Sequence, residues 1–355
     1  VGFDTSLAPP HPSRILIVAP SWIGDTLMAQ PLFMGLKARH PGCSIDALAP
    51  AWVVPVLERM AQIRRVIANP FAHGELNLAA RRALGRRLRD EGYDLALVLP
   101  NSWKSALVPF FAGIPRRVGY RGEMRYGLLN DLRRLDEAAV PRLVDRYALL
   151  AEPPGAHPSA SLPLPRLEQR PGSRVATLAA LRLAVRPAPV VFCPGAEYGP
   201  AKRWPAAHFA ALARRLARDG HPVWLVGSAK DAAVGAEIAA AAGGACRNLC
   251  GATSLDQAID LLTAARLVVS NDSGLMHVAA ALDRPLVALY GSSSPDYTPP
   301  LSPRAVVLRT GIECSPCFER TCPLGHFRCL NDLTADLVYA RVTTLLGQAA
   351  DLGNA

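Results

Sequence analysis

Short runs of Val, Leu and Ile alternate along this chain with longer stretches in which Ala and Leu recur every three or four positions among Arg and other polar residues. The short runs read as strands buried on both faces and the long stretches as amphipathic helices, a combination that predicts parallel sheets covered by helices. In the first half the strands are expected at 14–19, 44–49, 65–68, 94–99 and 117–120, and in the second at 189–193, 223–227, 247–250, 267–270, 286–290 and 305–308. Between the halves, AEPPGAHPSASLPLPRLEQRPGS is Pro-rich and carries neither period, so the chain is expected to cross between domains within 151–188. The expected organisation is a loose tail at 1–13, a first α/β domain at 14–170, a linker at 171–188, a second α/β domain at 189–331, and a terminal helical segment at 332–355 that packs back across the first domain.

At 355 residues the chain exceeds one ordinary core, in keeping with two domains. The net charge of +10, from 39 Lys and Arg against 29 Asp and Glu, favours an anionic partner: nucleic acid, phosphorylated lipid or nucleotide. Aromatic content of 6%, with no RNP pattern, zinc-finger spacing or basic zipper, argues against nucleic acid. The cluster Arg81, Arg82, Arg86, Arg87 and Arg89, followed by Asp90 and Glu91, reads as a solvated helix face. No apolar run reaches the roughly 18 residues of a membrane span, and the first residues lack the basic and apolar regions of an export signal.

Open parallel sheets bind ligands beyond the carboxyl ends of their strands, and two such domains facing each other would form a cleft. Three motifs fall there: SWIGD after the first strand, PGAEYGPAKRWP after the first strand of the second half, and SNDSG after the strand at 267–270. The last of these runs straight into a helix, LMHVAAAL, whose first-turn N–H groups and dipole suit a diphosphate. Gly274 permits close approach there, while Asp272 and Ser273 serve either as caps or as ligand contacts, Asp272 toward ribose hydroxyls. His277 is either a buried helix-face residue or a phosphate donor. Asp25 is either the N-cap of a helix at 26–39 or a general base, and Lys202 beside Arg203 is either a solubilising pair or a neutraliser of a departing phosphate. Neither G-x-G-x-x-G nor the P-loop pattern is present, and no Asp-x-Asp pair exists to hold a metal-bound nucleotide sugar.

The first half also carries NSWKSALVPFFAGIPRRVGYRGEMRYGLLND, in which Lys104, Arg116, Arg117, Arg121 and Arg125 are interrupted by Gly, Pro and Tyr. This reads as a basic loop whose Arg forks suit an acidic acceptor. Cys314, Cys317, Cys322 and Cys329 form C-x2-C-x4-C-x6-C, for which a structural metal site, packed free thiols and disulfides all stay open.

Taken together, WIGDTLMAQPLF, the basic segment, CPGAEYGPAKRWP and SNDSGLMHVAAALDRPLVALYGSSSPD resemble the ADP-heptose–lipopolysaccharide heptosyltransferases over most of the chain, roughly 14–346. The resemblance implies a GT-B fold of two Rossmann-like domains. It also implies inverting, metal-independent transfer of L-glycero-D-manno-heptose from ADP-heptose to the first heptose of heptosyl-Kdo-lipid A, at the cytoplasmic face of the inner membrane, with no cofactor. On this resemblance Asp25 is the base, and Lys202, Asp272, Ser273, Gly274 and His277 bind the donor. Lys104, Arg116, Arg117, Arg121 and Arg125 would meet Kdo carboxylates or core phosphates. Some relatives have a ribose-binding carboxylate just after the Gly that ends the second strand of the donor domain; residues 227–230 have none, so none is carried over. The alternatives are a heptosyltransferase with another glycan or protein acceptor, and a non-catalytic binder of nucleotides or anionic lipid.

Overall fold

A computed structural model of the protein describes residues 12–72 and 74–351. The tail expected at 1–13 and the end of the terminal segment fall largely outside these residues. The chain divides into two compact units, 1–163 and 164–355.

In the first unit the strands are β1 (Arg14–Val18), β2 (Ser44–Pro50), β3 (Ile63–Asn69), β4 (Leu95–Val98), β5 (Arg116–Tyr120) and β6 (Asp131–Arg133), in the order β3-β2-β1-β4-β5-β6 and all parallel. In the second they are β7 (Val190–Cys193), β8 (Val223–Leu225), β9 (Arg247–Asn248), β10 (Leu267–Asn271), β11 (Leu286–Leu289) and β12 (Ala305–Leu308), in the order β12-β11-β10-β7-β8-β9, again parallel. Each sheet starts at its middle, builds outward for three strands, then crosses to the other side of its first strand. The loops after β1 and β4, and those after β7 and β10, therefore diverge and leave a crevice at the carboxyl ends.

β4, β7, β10 and β11 are buried along their whole length, the signature of strands covered on both faces. Leu16, Val18, Leu48 and Val98 meet Leu84 and Leu88 in the core of the first unit. In the second, Val190, Phe192, Val269 and Leu289 meet Trp204, Phe209, Val338 and Val342. Each such side chain contributes about 1.5–3 kcal/mol of transfer free energy. The first unit also buries a polar knot. Asp46 on β2 is fully enclosed and accepts from Arg64 at 2.9 and 2.6 Å, from Arg65 at 3.1 Å and from the Tyr93 hydroxyl at 2.6 Å.

Three expectations are revised. The division at 163/164 falls inside the expected crossing of 151–188, but the segment expected as a linker, 171–188, contains a helix: Pro171–Ala180 packs against Leu255–Ala264, pinned by Ser173 and Thr177 donating to Asp260 at 2.6 and 3.0 Å. Its Pro at the first helical position, one of those that made the segment read as aperiodic, starts it. The terminal helix Ala335–Asp351 packs on Ala206–Arg218, β10 and β11 of the second unit, because Val338, Val342 and Leu346 complete that unit's core. The helix expected at 26–39 is two, Ile23–Met28 and Gln30–Arg39, interrupted just before Pro31. Among the described residues no helix is long and apolar enough to cross a membrane.

Candidate active site

Asn271 ends β10 fully buried, and its amide links the neighbouring loops. Its Nδ2 donates to the Pro194 carbonyl after β7 at 2.8 Å, and its Oδ1 accepts from the Trp204 backbone N–H at 3.0 Å. Trp204 is itself locked, its Nε1 donating to the Leu333 carbonyl at 2.6 Å and its ring meeting Phe209 edge-on at 4.7 Å. The residues just before Trp204 are thus held against the end of β10. There Lys202 Nζ donates to Asp272 Oδ2 at 2.6 Å, and the same oxygen accepts from Ser293 Oγ at 2.5 Å. Asp272 is 5% exposed, so this is a nearly enclosed ion pair with a third partner.

Helix Gly274–Ala281 starts immediately afterwards from Ser273, whose extended backbone supplies no side-chain cap. The Gly274 and Leu275 N–H groups at this start meet no side-chain cap, while the Met276 N–H already donates to the Ser273 carbonyl at 3.1 Å. His277, one turn in, is buried, and that burial pushes its imidazole down to about 4, with Asp272 pulling up and Lys202 pushing down. At neutral pH it is an uncharged hydrogen-bonding group. The structure therefore brings Lys202, Asp272, Ser273, Gly274 and His277 together, and adds Ser293, which sequence reasoning passed over in GSSSPD. It also adds a carboxylate. Asp231 folds back so that its Oδ2 accepts from the Ser228 N–H at 2.9 Å and hydroxyl at 2.7 Å, against Gly195, where a Cβ would lie 2.4 Å from that carboxylate. Asp231 lies one residue beyond the stretch 227–230 in which the sequence offers no carboxylate.

The Cys-rich segment backs these loops. The Phe318 N–H donates to the Ser292 carbonyl at 2.7 Å, the Ala201 N–H to the Arg320 carbonyl at 3.0 Å, and the Ser315 hydroxyl to the Gly291 carbonyl at 2.7 Å. Tyr198 donates to the Phe318 carbonyl, and its ring carries Lys202 Nζ at 5.0 Å and the Arg320 guanidinium at 5.2 Å. All eight cysteines are free thiols. Cys329 is raised by burial and then by Cys314, Cys317 and Cys322, while backbone N–H groups, that of Phe327 foremost, lower Cys322. Among the described residues no group of three or more His, Cys, Asp or Glu is arranged to hold a metal ion. The segment's visible role is packing against the two loops.

In the first unit Asp25 is the third residue of helix Ile23–Met28, half-buried in its first turn; the N-cap position is Trp22, which makes no side-chain capping bond. The capping reading of Asp25 is therefore replaced by a carboxylate held within the first turn, where the dipole favours its charged form. The basic segment divides. Arg125 is 1% exposed and donates to Tyr120 and Pro100 carbonyls and to Asn101 Oδ1; burial lowers it to about 10. Arg117 donates inward to the Leu128 and Ile114 carbonyls, and Arg116 pairs with Asp131 at 2.9 Å. Arg125 and Arg117 thus spend their donors inside the first unit, which corrects the reading of a basic loop open along its whole length, while Arg116 stays exposed in its ion pair. Lys104 and Arg121 pair with no acid among the described residues. Arg81 likewise leaves the solvated face, turning in over the Phe71 ring at 4.0 Å.

Topology also collects what the sequence showed as scattered. Trp22, Trp52 and Trp103 follow β1, β2 and β4, which lie side by side, and are 48%, 51% and 37% exposed. Three aromatic faces thus rim the end of the sheet that carries Asp25.

Two six-stranded parallel sheets of Rossmann order, each with its candidate residues at the reversal point, are the architecture of the GT-B glycosyltransferases. A solved Escherichia coli ADP-heptose LPS heptosyltransferase II shares the architecture, with a TM-score of 0.84 at 47% identity over 94% of this chain and 99% of that one. Residues 81–328 match the model of glycosyltransferase family 9 (heptosyltransferase), and the chain belongs to that family. It is 49% identical to lipopolysaccharide heptosyltransferase 2 of Escherichia coli K12, over 94% of this chain and 99% of the relative. It is 45% identical to lipooligosaccharide heptosyltransferase 2 of Haemophilus influenzae, over 94% and 100%.

Proposed function

We propose that this glycosyltransferase moves L-glycero-D-manno-heptose from ADP-heptose onto the first heptose of the lipopolysaccharide inner core. The observation that carries the reading is the Lys202–Asp272–Ser293 cluster beside the start of helix Gly274–Ala281, which has no side-chain cap, so that a paired lysine and helix N–H donors stand where a diphosphate would dock. The high identity to enzymes named for the second heptose supports the choice of acceptor. In this reading Asp25 accepts the proton of the acceptor hydroxyl as that oxygen attacks the anomeric carbon. The bond to the β-phosphate breaks on the opposite face, its electron pair stays on ADP, and the configuration inverts. Lys202, Asp272, Ser273, Gly274 and His277 hold the donor. Lys104, Arg121 and the three tryptophans meet the acidic sugar acceptor, which is reached from the cytoplasmic face of the inner membrane.

The test is ADP release from ADP-heptose in the presence of chelator, with heptosyl-Kdo-lipid A and heptose-free Kdo-lipid A as parallel acceptors. Release with the heptosylated acceptor alone is expected. Release with the heptose-free acceptor alone would make the enzyme one that adds the first heptose. Release with neither, alongside normal ADP binding, would move the reading to another acceptor or to a non-catalytic binder.

A further inference from the structure

The charges around the proposed donor site do not add up to a phosphate site without one more residue. Lys202 arrives already neutralised by Asp272 at 2.6 Å, in a pair only 17% and 5% exposed. His277 is uncharged at neutral pH. Lys230 pairs with Glu197, and Arg203, charged and half-buried with its Nε unpartnered, is turned back so that it donates to the Ala196 carbonyl at 3.3 Å. A diphosphate brought to this turn would meet helix N–H groups and an ion pair of no net charge, with the Arg203 guanidinium turned back toward Ala196.

Arg320 is an exposed cation beside this turn with no acid of its own among the described residues. It stands over the same Tyr198 ring as Lys202, so the two charges are no farther apart than the sum of 5.0 and 5.2 Å. Its placement is fixed by the backbone. The Arg320 carbonyl accepts from the Ala201 N–H at 3.0 Å, and a Cβ on Gly199 would lie 2.4 Å from that oxygen, so only glycine lets the two chains approach. Tyr198, tied through its hydroxyl to the Phe318 carbonyl, holds the guanidinium on its face.

We infer that Arg320, delivered by the Cys-rich segment, binds the diphosphate of the nucleotide donor and of the departing ADP. This rests on the donor-site reading of Lys202. It gives the segment between Cys317 and Cys322 a purpose: to carry one planar, permanently charged fork to the phosphates. The guanidinium neutralises charge that Lys202, held by Asp272, offsets only in part.

Calorimetric titration of wild type, Arg320→Ala, Arg320→Lys and Lys202→Ala with ADP and with adenosine tests the inference. Arg320→Ala is expected to weaken ADP about 10- to 100-fold, the value of one charge-assisted contact, and to leave adenosine unchanged. Arg320→Lys should recover part of the loss, and the salt dependence of ADP affinity should shrink in Arg320→Ala. Wild-type ADP affinity in Arg320→Ala together with loss in Lys202→Ala overturns the role of Arg320 alone. Unchanged ADP affinity in both overturns the donor-site reading as well. Equal loss of ADP and adenosine in Arg320→Ala would show a prop for the loop and no phosphate contact.

Discussion

The buried neutral imidazole of His277 makes the folding of the second unit sensitive to acid. An ordinary histidine titrates near 6.5, whereas burial holds this one at about 4. Between those values the unfolded chain binds a proton that the folded chain refuses, so unfolding takes up protons and stability rises with pH. The contribution is complete above about pH 6.5, falls as pH drops through the window, and stops falling below about 4. Worked through, the loss reaches about 3 kcal/mol by pH 4, a large share of the stability of one domain. Hydrogen exchange of peptides covering 267–290, corrected for intrinsic rates and compared between pH 7.5 and 4, reads this directly. His277→Gln should lower protection at pH 7.5 but flatten the decline toward pH 4 by up to about 3 kcal/mol. Equal declines in the two proteins would show that His277 is protonated or solvated in the folded state, and the reasoning would fail.

Two further predictions concern the first unit. Asp25→Ala should lower turnover about 10²- to 10⁴-fold while leaving ADP affinity unchanged, as initial rates and titration would show; a variant with normal turnover removes Asp25 from the chemistry. Asp46→Ala strands the Tyr93 hydroxyl and unpairs Arg64 and Arg65 from their enclosed partner, so urea unfolding of that unit should show a loss of about 2–4 kcal/mol, and a loss below 1 would mean that water replaces the carboxylate freely.

Most of the sheet framework could be read in the chain because its strands are covered on both faces: an unbroken run such as LVVS at β10 has no solvent side to blur it. β6 escaped because three residues, one of them the Arg133 that pairs with Asp131, carry no apolar period. The helix Pro171–Ala180 escaped because its anchor is tertiary: Ser173 and Thr177 look like loop residues until Asp260 arrives from 83 or more positions away. The donor turn was legible since strand, turn and helix are contiguous there. Ser293, Asp231 and Arg320 were not, for each reaches the site from a different loop, and only the fold makes them neighbours. Arg125 misled for the converse reason: a guanidinium among Gly and Tyr in sequence gives no sign that the Tyr120 and Pro100 carbonyls and the Asn101 side chain enclose it.

The packing of the terminal helix sets a schedule for synthesis. Every strand of the first sheet has left the ribosome once Arg133 has, so that unit is able to close while the rest is still being made. The second cannot. Trp204, which seats Lys202, waits for the Leu333 carbonyl, and its core waits for Val338, Val342 and Leu346. The unit that carries Lys202 is therefore the last part of the enzyme to be assembled, and a nascent chain that stalls before residue 346 presents a finished first unit tethered to an apolar surface that chaperones would hold.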